Sequence, residues 1–474
     1  MPLRSTAPLA LALCLGVFGF SPASADEAKP LASVDTTALE SVDVDGEGRP
    51  HGKYTLLHVS GETAVKATYR HGELHGLHRT YNEAGRLSAQ KTYRKGVLHG
   101  SFKEYHANRR LKLTATYRDG KLHGAYHLRA ADGSTLVKTS YRHGLRDGTF
   151  KAWEGSQVVT KQTWRDGVPT DVDGIAPYPR TRKHIVSEIQ RLLAGDGELS
   201  DDPLEADREL ALRYLKAYRC IAGVPYDDIE INTGYQLHAQ AAAEICKTLG
   251  QITHFPKNPG WTNGRFDFAA KGTKSSNLAQ GRIACDSIRA YMDDSDARNI
   301  EKVGHRAWCL NPAMTQTGFG TVGHFSAMWS ISSDRKHVPD YEFVACPSAG
   351  QAPAQWFDTH WAWSASLNPA HFDAPQPGAV KVAITPVDET FLPTGDPLAL
   401  NHLSVLQKSA GVPYMVVFRP VGVTLQPGAQ YRVTVSGLTH KGKAKTLRYY
   451  VAFFDCPYVA PRLPSEMPLS VLSR

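Results

Sequence analysis

The feature that most constrains this chain is an internal repeat of 24 residues in its first third. The string Tyr-Arg-Xaa-Gly begins at Tyr69, Tyr93, Tyr117 and Tyr141, and a Trp-Arg-Asp-Gly variant begins at Trp164. Glycine after the variable residue readily adopts the positive φ of a tight turn, so each unit is predicted to form two short strands. A lone hairpin is only marginally stable in water, so successive units must pack as a solenoid.

The repeat segment, residues 45–170, resembles bacterial MORN-type repeats. The resemblance implies a scaffold or adhesion surface that carries no chemistry of its own. One histidine recurs in successive units, at His51, His75, His99 and His123. Equivalent residues of adjacent hairpins lie about 9.5 Å apart, which is too far for two imidazoles to share a metal ion in register. These histidines are therefore expected to be solvated, to cap turns, or to attract anions when they are protonated.

Positive charge is concentrated in the same segment. The whole chain has a net charge of +8, whereas residues 45–170 hold 22 Lys and Arg against 11 Asp and Glu, a local charge of +11. Such a segment attracts polyanions, so its predicted partner is an anionic envelope lipid or polymer, or a protein. Nucleic acid is not expected as a partner.

The N-terminus has the features of an export signal. Arg4 precedes an apolar run at residues 8–20, and a small-residue cleavage site ends at Ala25. No other stretch reaches the ~18 apolar residues of a spanning helix. The chain is therefore predicted to be secreted or periplasmic after cleavage near Ala25, without a transmembrane segment, and residues 26–44 are predicted to be a linker.

The cysteines that follow the signal number six, and all of them lie after residue 200. None forms a Cys-Xaa-Xaa-Cys pair, which disfavours a zinc ribbon or a thioredoxin-type site. An even number of cysteines in an exported chain favours disulfides, so we expect three of them.

The middle of the chain shows helical periodicity over residues 204–221 and 233–249, after a connector at residues 171–203. The strings ITHFP (252–256), SSNLA (275–279) and GHRAWCLNPAMTQTGFG (304–320) follow. Together they resemble motifs of the CAP superfamily of SCP-like extracellular proteins, in the bacterial branch. The resemblance implies a CAP domain over residues 204–350, folded as an α+β three-layer α-β-α sandwich.

The same resemblance implies a ligand-binding or metal-binding cleft. His254 matches the first family histidine and His305 the second, while Ser276 stands where the family has a glutamate. The second family carboxylate falls on Asp294, with Asp293 and Glu301 as alternatives.

Two chemistries are open to this set of residues. Two imidazoles, a carboxylate and water suit Zn²⁺ or another divalent metal, and an open position on the metal could activate water. Hydrolysis also needs a general base, and Ser276 cannot serve as one unaided. No HExxH, GxSxG or P-loop motif occurs in the chain. No catalytic residue is therefore assigned.

The last segment, residues 351–474, begins with Trp356, Trp361 and Trp363. These rings either pack between domains or, if exposed, stack on sugars. Short strand-like runs separated by Gly and Pro follow, which predicts a small β-sandwich.

The sequence thus favours an exported, non-catalytic binding protein. Its cleft would bind a lipid, a peptide, a glycan or a divalent metal, and its basic repeats would contact anionic or partner surfaces. A metal-assisted hydrolase of peptides or envelope polymers and a pure protein-interaction scaffold are the two alternatives.

Overall fold

The computed structural model describes residues 40–409 and 411–456, so the predicted signal peptide lies outside the described residues. The chain forms two compact units, which divide between Ala176 and Pro177. Within the described ranges, no helix is long and apolar enough to cross a membrane.

The described residues of the first unit form one antiparallel sheet of 14 strands, in which almost every strand pairs with its neighbours along the chain. The 24-residue repeat corresponds to one strand-turn-strand step of this sheet. Two of the strands, β4 (Glu73–Leu74) and β11 (Leu145–Arg146), are two-residue side pairings. The strands are β1 (Glu40–Val44), β2 (Pro50–Leu57), β3 (Thr63–Arg70), β4 (Glu73–Leu74), β5 (Gly76–Tyr81), β6 (Leu87–Arg94), β7 (Val97–Tyr105), β8 (Leu111–Arg118), β9 (Lys121–Arg129), β10 (Thr135–Arg142), β11 (Leu145–Arg146), β12 (Gly148–Glu154), β13 (Gln157–Arg165) and β14 (Val168–Val172).

The turns of successive units are hydrogen-bonded to one another. In the Tyr-Arg-Xaa-Gly turn both central residues have positive φ, for example 51° at His71 and 85° at Gly72, as a type I′ turn requires. The N–H of the turn glycine donates to a carbonyl in the previous unit's turn region, as Gly96 does to Leu74 at 2.9 Å. Each turn is therefore seated on the turn before it.

The recurring histidines also contribute to this stacking. The backbone N–H of His71 donates to Nδ1 of His51 at 3.3 Å, and that of Asp119 donates to Nδ1 of His99 at 3.3 Å. The contact joins residues 20 positions apart and recurs at a multiple of the 24-residue period, which shows that the imidazole caps the next unit's turn. The ring contacts a turn residue rather than the equivalent histidine of the adjacent unit.

A row of cross-strand ring pairs runs along the sheet with the same period. Tyr54 contacts Tyr69, Phe102 contacts Tyr117, and the two pairs have ring centroids 5.5 and 5.9 Å apart. In the unit between these two, His78 stands at the position that Tyr54 and Phe102 occupy in theirs. Burial and the positive charge of Lys91 lower the pKa of the His78 imidazole. Aromatic pairs of this kind stabilise neighbouring strands beyond simple burial.

His127 on β9 should make the repeat sheet sensitive to acid. Its Nδ1 accepts from Arg129 at 2.5 Å and its Nε2 lies 3.0 Å from Thr135 Oγ1. Burial, Arg129 and Lys138 lower the pKa of His127 to about 4. In the unfolded chain the imidazole has a pKa near 6.5, so it binds a proton between about pH 6.5 and 4 while the folded chain does not. The free energy of unfolding therefore falls as the pH falls from about 6.5 towards 4.

We expect His127→Gln to be less acid-sensitive than the wild type, by about 1 kcal/mol at pH 5 once solvent screening is included. The measurement is hydrogen exchange of β9 and β10 amides in the full chain at pH 7 and pH 5. His324→Gln, at an exposed histidine of the second unit, is the control. Equal acid sensitivity of the His127→Gln variant and the wild type would contradict the assignment.

The second unit contains six α-helices among its described residues, and their ends follow local sequence signals. Asp202 caps the second helix by accepting from Leu204 N–H at 2.8 Å, and Gly223 ends that helix with a φ of 78°. The helices are α1 (Arg182–Ala194), α2 (Pro203–Ala222), α3 (Thr233–Leu249), α4 (Asn263–Ser275), α5 (Ala284–Asp293) and α6 (Gly304–Cys309), and a 3₁₀ turn spans Ala354–Trp356. The two predicted periodic helices correspond to α2 and α3.

The strands described in this unit form three four-stranded sheets. The first holds β15 (Glu230–Ile231), β16 (Ser276–Gln280), β17 (Gln316–Val322) and β18 (Phe325–Trp329). The second holds β19 (Phe343–Cys346), β21 (Trp363–Leu367), β23 (Leu400–Leu406) and β24 (Tyr414–Pro420). The third holds β20 (Gly350–Pro353), β22 (Lys381–Val387), β25 (Gln430–His440) and β26 (Lys443–Phe454).

The predicted fold class is wrong, because the middle of the chain does not form a three-layer α-β-α sandwich. Of the described residues, 41% lie in strands and 20% in helices, and the strands form the 14-stranded sheet and several small sheets. One buried core runs from Ile185 to Cys456, and the ring of Tyr218 on α2 packs 4.8 Å from that of Trp356. The helices therefore pack against the C-terminal strands as well as the first small sheet, a long-range contact that no local motif encodes.

The three tryptophans after residue 350 belong to this core. Trp356, Trp361 and Trp363 are all buried, at 6%, 1% and 1% exposure. Trp363 packs edge-on against Tyr431 and Phe453. No face of these rings is available for stacking on a sugar.

The predicted disulfides are also wrong, because none of the six cysteines is part of a disulfide. All are buried; they are Cys220, Cys246, Cys285, Cys309, Cys346 and Cys456. Burial raises the pKa of Cys309 to about 12, and its Sγ lies 4.0 Å from Met328 Sδ. Such thiols behave as small apolar side chains. Cys246 packs among alanines in a cluster separate from the main core, away from a bonding partner.

Strand β17 lies directly against helix α3 because two of its residues are glycine. A Cβ added to Gly318 would overlap the backbone of Gln236, and one added to Gly320 would overlap that of Gln240. The glycines of the GHRAWCLNPAMTQTGFG string thus allow this close approach. The α6 end of the same string carries His305.

Candidate functional site

The four predicted site residues lie on separate elements of the second unit. His254 lies in the loop between α3 and α4, and Ser276 opens β16. Asp294 is the residue at which α5 ends, and His305 is the second residue of α6.

Asp294 and His305 form a directly bonded pair. One carboxylate oxygen of Asp294 lies 2.7 Å from Nδ1 of His305, and the other accepts the His305 backbone N–H at 2.8 Å. The Asp294 side chain is 1% exposed and the His305 side chain 22%. Because the carboxylate accepts at Nδ1, the neutral ring carries its proton there and presents the Nε2 lone pair.

The two alternative carboxylates have other partners. Asp293 lies 3.0 Å from Nε2 of His360, and Glu301 lies 3.9 Å from Nε2 of His402. Asp294 alone of the three candidates contacts His305, because its left-handed backbone, with a φ of 47°, turns the carboxylate back towards α6.

His254 has an arrangement similar to that of His305. Its Nδ1 lies 2.8 Å from the carbonyl of Thr273, while the Thr273 hydroxyl donates to the His254 carbonyl at 3.3 Å. A carbonyl can only accept, so the neutral His254 ring is protonated at Nδ1 and also presents Nε2. Hydrogen bonds of this kind orient histidine ligands in metal sites.

The start of β16 connects the surroundings of the two histidines. Thr273, which contacts His254, lies three residues before Ser276. Asn277 follows Ser276, and its side-chain amide donates to the His305 carbonyl at 3.1 Å. The Ser276 hydroxyl oxygen is buried and, among the described residues, has no hydrogen-bond partner. A buried hydroxyl in this state can bond a ligand or a water.

Metal binding at these residues would rest on few protein ligands. Within residues 40–409 and 411–456, three His, Cys, Asp or Glu ligand atoms come within 4.8 Å of one another only at Asp45, His51 and His71, in the repeat sheet. His254, His305 and Asp294 do not form such a group of three. A metal bound at either Nε2 atom would therefore need water or a ligand to complete its coordination.

Sequence reasoning missed Arg306, the residue whose hydrogen bonds fix the end of α5 beside the candidate site. Arg306 is 1% exposed, and its guanidinium donates to the carbonyls of Met292 and Ala362, at 2.7 Å each, and to that of Asp293. These bonds fix the end of α5, where Asp294 lies. The signal was present in the sequence, since an arginine follows the motif histidine directly.

No protein-family model matches the chain, and no curated protein matches it either. Among the solved structures that the chain resembles are two that each share 11% identity with it. One is a GtfA/B complex bound to UDP and GlcNAc, with a TM-score of 0.15 over 29% of this chain and 26% of that chain, so the chain spans about a quarter of it. The other is an extracellular protein containing a SCP domain from Bacillus anthracis, with a TM-score of 0.21 over 63% of this chain and 98% of that chain. At these TM-scores neither likeness carries an argument about fold or function.

Proposed function

We propose that the chain is an exported, non-catalytic binding protein with two binding regions. The second unit would bind a small ligand beside His254 and His305, and the basic repeat sheet would bind an anionic envelope surface. The proposal is supported by the resemblance of the sequence motifs to CAP domains and MORN-type repeats.

The observation that carries the proposed ligand site is that His254 and His305 have the same hydrogen-bonding arrangement. Each ring is fixed at Nδ1 by an acceptor of the protein, Thr273 or Asp294, and presents Nε2. An Nε2 lone pair accepts a hydrogen bond from a hydroxyl, amide or ammonium group, or coordinates a divalent metal such as Zn²⁺. The buried hydroxyl of Ser276 offers a further polar contact.

The same geometry favours binding over hydrolysis. A hydrolase needs a general base within reach of the attacking water. Both oxygens of Asp294 are already bonded to His305, and Ser276 replaces the glutamate of the family motif. The unsatisfied Ser276 hydroxyl also favours a ligand site over a purely structural scaffold, because buried polar groups are normally hydrogen-bonded.

The test of the ligand site is mass spectrometry of the purified full chain for bound metal and small molecules. We expect a molecule or ion to co-purify with the wild type and to be lost from the His254→Ala/His305→Ala variant. His324→Ala, at an exposed histidine of the same unit, should retain it. Turnover of a peptide or glycan panel by the wild type would favour the hydrolase instead.

The repeat sheet carries a periodic row of exposed arginines, one in each Tyr-Arg-Xaa-Gly turn or its Trp variant. They are Arg70, Arg94, Arg118, Arg142 and Arg165. Arg94 and Arg142 are paired with aspartates, whereas Arg70 and Arg118 form no ion pair with the described residues. A row of guanidinium groups two strands apart matches the phosphates of an anionic surface better than a single point charge would.

We expect the full chain to co-sediment with anionic vesicles and not with neutral ones, and to be released by 1 M salt as the Debye length falls from ~10 to ~3 Å. At about 1 kcal/mol per basic residue, Arg70→Gln/Arg118→Gln should weaken binding about 30-fold. The control Arg298→Gln/Lys302→Gln removes the same charge from the second unit. Binding that is equal on both vesicle types would contradict the proposal.

A further inference from the structure

Asp45, His51 and His71 meet at the first turns of the repeat sheet. One ligand atom from each residue lies within 4.8 Å of the other two. Nδ1 of His71 lies 3.4 Å from Asp45 Oδ2, and the two imidazole centroids are 4.8 Å apart. We propose that Asp45, His51 and His71 form a divalent transition-metal site suited to Zn²⁺.

The donor set fits the chemistry of that ion. Zinc is commonly held by imidazole nitrogen and carboxylate oxygen at about 2.0–2.1 Å, which places tetrahedral ligand atoms roughly 3.4 Å apart. The His71–Asp45 pair already has this separation, the other pairs need to close by at most about 1.4 Å, and the His71 side chain is exposed. Water would complete the coordination, since the turn lies at the surface.

The position of Asp45 is unusual within the repeat. It lies 24 residues before Tyr69, so the incomplete first unit carries a carboxylate where the later units carry tyrosine. The sheet contains a second imidazole pair with the same spacing, His123 and His143, whose ring centroids are 5.1 Å apart. There the residue equivalent to Asp45 is Tyr117, so the pair lacks a third ligand of this kind and provides an internal reference.

The structure also identifies what the metal must displace. Asp45 Oδ1 accepts the backbone N–H groups of Glu47 and Arg49, at 3.0 Å each, which fixes the carboxylate in its turn. Oδ2 faces His71 and also accepts from Nε of Arg49 at 3.0 Å. Metal binding would release Arg49 from Oδ2, so Arg49→Ala should bind the metal more tightly than the wild type.

The test is calorimetric titration of Zn²⁺ into the metal-stripped full chain at pH 7.5. A His254→Ala/His305→Ala background removes the histidines of the proposed ligand site, so that failure of one site leaves the other measurable. We expect one bound ion, with affinity reduced at least about tenfold by Asp45→Asn, which preserves the shape of the turn. His71→Lys, the residue that Lys95 supplies at the equivalent turn, should have a similar effect.

His143→Lys is the matched control, because it breaks the imidazole pair that lacks the carboxylate. Co²⁺ in place of Zn²⁺ provides an independent readout, since its visible absorption reports nitrogen and oxygen ligation. Retained affinity in the control supports the site. An affinity unchanged by Asp45→Asn, an equal loss with His143→Lys, or no binding in the background protein would overturn it.

Discussion

Replacing Gly320 with alanine is expected to lower the free energy of unfolding of the second unit by about 3 kcal/mol, the upper range for overpacking a tight interface. The added methyl group would collide with the α3 backbone at Ala239 and Gln240, and neither a backbone atom nor a strand in mid-sheet can move aside cheaply. Urea unfolding of the full chain, followed by hydrogen exchange of α3 amides, measures the effect.

Gly264→Ala is the control for this substitution. Gly264 lies in the first turn of α4, and a Cβ added there would meet nothing within 4 Å. Alanine is also the better helix former, so this variant should be as stable as the wild type or more stable by about 0.5–1 kcal/mol. A Gly320→Ala protein of wild-type stability would show that β17 does not lie against α3 as described.

Arg306→Ala should lower the free energy of unfolding by about 3 kcal/mol or more, because removal of the buried guanidinium leaves several acceptors without partners. Those acceptors are the carbonyls of Met292, Asp293 and Ala362 and the hydroxyl of Ser364. The change should also disturb the bond between Asp294 and His305, which NMR of the His305 ring nitrogens would report.

Arg191→Ala provides the comparison for this prediction. Arg191 forms ion pairs with Glu188 and Asp227 at the surface, so its loss should cost no more than about 1 kcal/mol. Arg306→Lys should rescue little, since one ammonium group cannot reproduce the planar set of guanidinium donors. An Arg306→Ala protein that is stable and keeps the His305 ring signals unchanged would contradict the positioning role.

Local signals in the sequence predicted local structure well. The Xaa-Gly pairs mark the hairpin turns and the periodicity over residues 204–221 marks α2, because a turn or an amphipathic helix depends on a few neighbouring residues. The packing of Trp356 on Tyr218 joins residues 138 positions apart, and no periodicity encodes it. For that reason the extent of the buried core of the second unit, and with it the fold class, was not predictable from motifs.

The candidate site was predictable to a similar degree. The motif singled out His305 and three possible carboxylates, but only the left-handed backbone at Asp294 decides which one faces the imidazole. In the repeats, the 24-residue spacing predicts distances between equivalent histidines, whereas the contact that forms joins His51 to a turn residue of the next unit. The repeat spacing relates equivalent positions of successive units, so it does not predict contacts between different positions of adjacent units.

The bonding of each turn to the turn before it has a consequence for how this protein can change over generations. The Gly96 N–H donates to Leu74 and the Gly120 N–H to Leu98, and the strands pair only with adjacent strands, so each module contacts only the modules next to it. Duplication or loss of a 24-residue stretch of the gene would therefore lengthen or shorten the sheet by one step and leave the remaining modules with intact neighbours. The length of the sheet can therefore change in evolution by whole repeat units.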